Sequence, residues 1–297
     1  MDDTTFITII QIIAAGSVLG YASYLDFKTR RVSNRFWIVL SVIAIAILSL
    51  RMVIEEVRLE YLLILVPILA ILADVYVDFR DDSPLAGFAP LLEYGCAIAS
   101  TIILAYMWRD DEYFLHLMTI PVMMFAIIVM YAFDIIRGGA DAKALIALSI
   151  MFPFYPQIDV FPIIALGDWY TEVFFPFSFI VLVNAAILVA FLPILFVVKN
   201  IASREFEIPY AFLGYKMDAD EIRGKHVWLM EHIVDGNHVR HTKPRRKEEL
   251  ESEVEQLVAA GHERLWITPK VPFIIPIFAS LVFTTIVGNI LLPIMNL

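Results

Sequence analysis

Two aspartates stand at the edges of long apolar runs, Asp26 in YLDFKTRRVSN and Asp141 in RGGADAKAL. A carboxylate this near hydrocarbon is costly and usually marks a working site. Two carboxylates held close together cannot both ionise easily, so they keep one proton between them. The ionised member can activate water while the protonated member polarises a carbonyl, which is the chemistry of peptide-bond hydrolysis. Read singly, each aspartate has a plainer explanation. Asp141 follows Gly138-Gly139-Ala140 and opens an apolar run, so it could simply cap a helix, with Lys143 as an interfacial anchor. Asp26 could pair with Lys28 or Arg30. Placed on the same side of one bilayer, the two together make a reactive pair.

The elements that must position them follow from composition. The chain has 297 residues, 60% of them hydrophobic and only 18% charged. Long apolar runs joined by short charged loops predict an all-α polytopic membrane protein. At about twenty apolar residues per crossing, the pattern predicts eight spans, near 5–25, 36–53, 58–78, 87–107, 114–135, 142–166, 173–198 and 272–294. The second is short, and the sixth carries Pro153, Pro156 and Pro162, which break or kink a helix. The acidic start, MDDTTF, lacks a basic stretch, so the first run reads as a retained helix and not a cleaved signal.

Lysines and arginines favour the cytoplasmic side. With the N-terminus outside, the short inner loops hold Lys28, Arg30, Arg31, Arg35, Arg80, Arg137 and Lys143. The outer loops hold only Arg51, Arg58 and Arg109. Asp26 and Asp141 then both face the cytoplasm. The expected organisation is a helical membrane domain over 1–198, a soluble cytoplasmic α+β domain over 199–270 and a final membrane helix over 271–297.

Within the soluble segment, 226–234 suits a strand, Asp235-Gly236-Asn237 a turn and 239–241 a return strand. Lys247 to Ala260 places Leu250, Val254, Leu257 and Val258 on one helical face, and 265–268 suits another strand. Five of the six histidines lie in this segment, but their spacing matches no zinc pattern. The basic run 243–247 suits solvent or anionic lipid headgroups. A net charge of −10 gives no reason to expect a nucleic-acid partner. Cys96 reads as helix packing.

The residues around the two aspartates carry a resemblance. GGADAK before an apolar helix resembles the GxGD motif of intramembrane aspartic proteases. Asp26, Lys28, Arg30, Val32 and Asn34 form D-x-K-x-R-x-V-x-N, which is similar to the first aspartate motif of the type IV prepilin peptidases. The likeness is closest to their archaeal branch, the preflagellin and prepilin peptidases, and extends to the soluble insert followed by WITPKVPF. It implies that Asp26 and Asp141 are the catalytic dyad, supported by Gly138, Gly139, Lys143, Lys28, Arg30 and Asn34. It implies a substrate that is a type IV pilin-like or archaellin precursor, cut after a short basic leader at the cytoplasmic face. No cofactor and no metal is implied. The chain departs from the pattern at Ala140, where a second glycine belongs, and at Ser33, where bacterial relatives have proline. It also has 115 positions between the aspartates, against a shorter gap in compact members. Two helices, near 58–78 and 87–107, account for the excess.

Asp134, two helical turns before Asp141, is a reserve catalytic candidate, with an inward-facing structural residue as the plainer reading. The acidic loop Asp78, Arg80, Asp81, Asp82 could attract a basic leader or be a solvated turn. An ion- or proton-coupled transporter using Asp74, Asp134 and Asp141 is the rival function, although the two halves of the chain show no clear inverted repeat. A presenilin-like protease fits less well, because Phe133-Asp134 replaces the tyrosine-aspartate pair and the proline-alanine-leucine signature is absent.

Overall fold

In lipid an apolar segment can satisfy its backbone only within itself, so long apolar runs fold as helices. A computed structural model of the protein describes residues 3–76, 89–164, 167–234, 236–242 and 250–295. Two compact units result: the chain up to Ala186 together with Pro272 onward, and Ile187–Val271.

The first unit begins with α1 (Asp3–Thr29) and α2 (Asn34–Ile54). A 3-10 turn at Leu59–Ile64 leads into α3 (Leu65–Tyr76), followed by α4 (Ala89–Met107), α5 (Glu112–Ala132) and α6 (Gly139–Met151). The short α7 (Trp169–Phe174) precedes α8 (Phe177–Ala190). After the second unit the chain returns through α13 (Ile274–Ile286) and α14 (Leu291–Met295).

The start of α2 follows from Ser33, which has an extended backbone and whose hydroxyl accepts the Arg35 N–H at 3.4 Å. Asp111 caps α5 in the same way, through the Phe114 N–H at 2.9 Å. α6 sits at the centre, packed mainly on α2 and α5, with α1 and α13 also against it. Its side chains from Ala144 to Met151 are all buried. The outward faces are apolar too: Val39, Val42 and Val53 of α2 are each more than half exposed. An unbroken apolar exterior of that kind suits lipid and not water.

Polar side chains inside this unit link one helix to another, as interhelical hydrogen bonds do in membranes. Gln11 Nε2 donates to the Met151 carbonyl at 2.6 Å, Ser149 bonds Ser178 at 3.0 Å, and Asn184 Nδ2 donates to Thr284 Oγ1 at 2.8 Å.

Among the described residues, five helices are long and apolar enough to cross a membrane: Asp3–Thr29, Asn34–Ile54, Leu59–Tyr76, Glu112–Ala132 and Phe177–Ala202. Two shorter apolar helices, Leu91–Met107 and Ile274–Ile286, fall below that length. The eight spans expected from the sequence are therefore not matched by eight long helices. The clearest shortfall is the sixth. α6 stops at Met151 because Pro153 cannot continue it, and 152–164 runs without regular helix. The second span, expected to be short, is a full 21 residues.

The second unit holds α9 (Leu192–Ala202), α10 (Tyr210–Leu213), β1 (Tyr215–Asp218), α11 (Ala219–Ile222), β2 (Val227–Leu229), β3 (Glu231–Val234), β4 (Asn237–Arg240), α12 (Leu250–Ala259) and β5 (Arg264–Pro269). The central strand β5 pairs antiparallel with β1 on one side and β2 on the other. The hairpin β3–β4 is a separate two-stranded ribbon. Met217, Ile222, Leu229, Val254, Leu257, Leu265 and Ile267 form the core. Val258, expected on the same face of α12, is instead exposed. Asp235, the basic run 243–247 and the acidic loop 78–82 lie outside the described residues.

Candidate active site

Asp26 sits in the last turn of α1, and Asp141 in the first turn of α6. Among the described residues four helices, α2, α3, α4 and α5, lie between them, an even number that returns the chain to the same end of the unit. Both side chains are half-buried. Asp141 is poorly solvated, and it lies within range of the negative charge of Asp26. The sequence separates these two groups by 115 positions; the fold gathers them at one end of one bundle.

The surroundings of Asp141 are set by Gly138. This residue caps α6 with an extended backbone, and the Ala142 N–H donates to its carbonyl at 3.0 Å. The Asp141 carboxylate folds back over it so closely that a Cβ at position 138 would fall on Oδ2. Gly139 is less constrained, since its nearest neighbour would be the Tyr131 hydroxyl at 3.5 Å.

The surroundings of Asp26 come from the turn that follows. Arg30 adopts a left-handed backbone, φ 56°, and its N–H donates to the Asp26 carbonyl at 3.0 Å. That fold-back brings the guanidinium within range of the Asp26 carboxylate, while Arg30 Nε is buried without a hydrogen-bond partner. Lys28 points elsewhere, 5.9 Å from the centre of the Tyr24 ring. The turn ends at Asn34, the first residue of α2. Its Oδ1 accepts a hydrogen bond from Lys143 Nζ at 3.0 Å. One direct bond therefore ties the stretch after Asp26 to the helix that carries Asp141.

Asp134 lies outside helix α5. It occupies an exposed turn with φ 58°, and its N–H donates to the Tyr131 carbonyl at 3.1 Å. Its expected place inside a span is thus corrected: α5 ends at Ala132, before the aspartate.

Comparison with known proteins bears on the whole arrangement. Residues 206–290 match the family described as Archaeal Peptidase A24 C-terminus Type II. The chain is 29% identical over 158 residues to the preflagellin peptidase of Methanocaldococcus jannaschii, covering 51% of this chain and 63% of that protein. It is 28% identical over 160 residues to the preflagellin peptidase of Methanococcus maripaludis, covering 51% of this chain and 64% of that one. Over about half of its length the chain is thus similar to archaeal preflagellin peptidases. It spans a little under two thirds of the length of the curated relatives it matches.

The family match runs from the second unit through α13, and neither aspartate falls within it. Sequence reasoning did not single out Tyr76, which lies beside Lys143. Its ring centre lies 5.6 Å from Lys143 Nζ, and its hydroxyl bonds Ser41 at 3.2 Å. A single tyrosine at the end of an apolar run carries no periodic signal that would mark it. Among the described residues, no group of three or more histidine, cysteine, aspartate or glutamate side chains is arranged to hold a metal ion.

Proposed function

We propose that this chain is a membrane-embedded aspartic endopeptidase that removes the basic leader from type IV pilin-like or archaellin precursors at the cytoplasmic face. The observation that carries the reading is the placement of Asp26 and Asp141, remote in sequence, at the same end of one bundle, with the charge of Asp26 felt at Asp141. Two carboxylates so placed share a proton, and their titration belongs to the pair. In the proposed cycle the ionised member takes a proton from water as that water attacks the scissile carbonyl. The protonated member polarises the carbonyl oxygen, and a proton is then delivered to the leaving nitrogen. The relatives named as preflagellin peptidases support the substrate class.

In this proposal the chain crosses the bilayer eight times with its N-terminus outside. α6, at 13 residues, spans only about 20 Å of the roughly 30 Å hydrocarbon layer. The rest of its crossing falls to the irregular stretch after it, where Phe152, Pro153, Tyr155 and Pro156 are buried. Non-helical backbone at that depth is tolerated when protein surrounds it.

The test is leader cleavage by membranes containing the full chain. Asp26→Asn and Asp141→Asn preserve shape while removing the ionisable group, and each is expected to abolish cleavage at unchanged protein level. Retention of cleavage by both variants would exclude the dyad.

A further inference from the structure

A cavity of about 420 Å³ opens beside the first turns of α6, between α3, α4, α5 and α6. Its long walls are apolar, with Ile128 and Ile146 among them. Besides the tyrosines Tyr94 and Tyr131, two charged side chains line it. One is Asp74, whose Oδ2 accepts a hydrogen bond from the Tyr94 hydroxyl at 2.5 Å; the negative charge of Asp74 also reaches Glu93. The other is Lys143, whose amine is already engaged by Asn34 at 3.0 Å. Gly139 lines the same space, two residues before Asp141.

An apolar slot with a carboxylate in its wall has a natural occupant. Lysine and arginine lay a hydrocarbon stem along apolar surface and put the charge at one end. A carboxylate holding one tyrosine hydroxyl still has acceptor capacity for a charged donor. The two charges in the lining are of opposite sign; Lys143 is held by the Asn34 amide and binds no cation, which leaves Asp74 as the group that can take a positively charged end. We infer that this cavity receives a lysine or arginine side chain of the substrate leader, with Asp74 as the residue that binds it. The inference rests on the proposed peptidase activity. It explains the presence of α3 and α4, the two helices that lengthen the gap between the aspartates, since they bring Asp74 and Tyr94 to the place where the chain to be cut enters.

The test is a double-mutant cycle on full-length protein, using an archaellin-type precursor whose leader lysines and arginines are changed one at a time to glutamine. Asp74→Asn is expected to lower kcat/KM for the unmodified precursor about tenfold, through KM, and at one leader position the two changes together should cost no more than either alone. That coupling is the signature of direct contact. Additive losses at every leader position overturn the inference. Should Asp74→Asn fail to accumulate, Ile128→Phe, which narrows the slot without altering the carboxylate, is carried through the same cycle under the same criterion. Asp26→Asn and Asp141→Asn run in parallel. If they remain active, the peptidase reading itself falls; if they are inert and the cycle is additive, only the slot falls.

Discussion

Gly138 has φ −95° and ψ 118°, a conformation open to any residue, so its small size matters for another reason. The space a side chain would need is filled by the Asp141 carboxylate. Gly138→Ala must therefore push that carboxylate aside. A displacement of about 1 Å at a reacting group costs on the order of 100-fold in rate, so kcat/KM for leader cleavage should fall by about that factor. Gly139→Ala makes only an ordinary contact with Tyr131, and it should stay within a few-fold of the parent. Equal effects of the two substitutions in the cleavage assay would contradict this account. The pairing of Lys143 with Asn34 belongs to the same scale. If the two residues act through their mutual bond, Lys143→Met and Asn34→Ala should each lower kcat at similar KM, and the double variant should be no worse than the poorer single one. Independent losses that multiply would assign them separate roles.

At the scale of elements, the second unit depends on one buried carboxylate. Glu231, 2% exposed, accepts hydrogen bonds from the Trp266 N–H and from His238 Nε2 at 2.7 Å, with Arg240 Nε at 3.5 Å. It thereby joins the β3–β4 hairpin to β5. Removing one partner from a buried charged network costs about 3–5 kcal/mol. Glu231→Ala should accordingly reduce amide hydrogen-exchange protection across β1, β2 and β5; unchanged protection would show that the hairpin and sheet hold without it. Most of these elements were legible in the sequence. The strand read at 226–234 is instead two strands, β2 and β3, which break at Met230 and pair in different sheets, and the described part of the helix read at 247–260 is α12. The hairpin return is β4, and the strand read at 265–268 is β5. What the sequence did not disclose is β1 and its pairing with β5, because a four-residue strand joined to a partner some fifty positions away leaves no local pattern. The sixth span fails for a local reason: its apolar run continues to Ala165, and Pro153, the first of the three prolines noted in it, ends the helix. At the proposed dyad, the spacing of basic residues after Asp26 and the glycines before Asp141 marked the two aspartates, whereas Asp74, Tyr94 and Tyr76 became neighbours of α6 only through the packing of α3 and α4.

For the whole molecule, the decisive question is which leaflet each end of the bundle faces. The two ends of the first unit differ in chemistry. One carries Asp26, Asp141, Asn34 and Lys143. The other carries a polar aromatic cavity of about 620 Å³ lined by Arg51, Tyr113, His116, Phe154 and Glu172. There Arg51 Nε pairs with Glu55 at 2.8 Å, the Tyr113 hydroxyl donates to Glu55 at 2.7 Å, and His116 Nε2 lies 3.6 Å from Glu172. Those bonds tie α2, α5 and α7 together far from the aspartates. The excess of lysine and arginine at the aspartate end predicts that this end is cytoplasmic. Sidedness can be read with cysteines after Cys96, the only one in the chain, is replaced by serine. Single cysteines at Thr29 and Arg137, both exposed near the aspartates, should react with an impermeant thiol reagent only after cells are opened. A cysteine at Asp110, 90% exposed at the opposite end, should react on intact cells. Opposite labelling of positions 29 and 137 would separate the two aspartates across the bilayer and leave the proposed reaction without a site. Labelling of both from outside would keep the pair and invert the membrane face at which a precursor is cut.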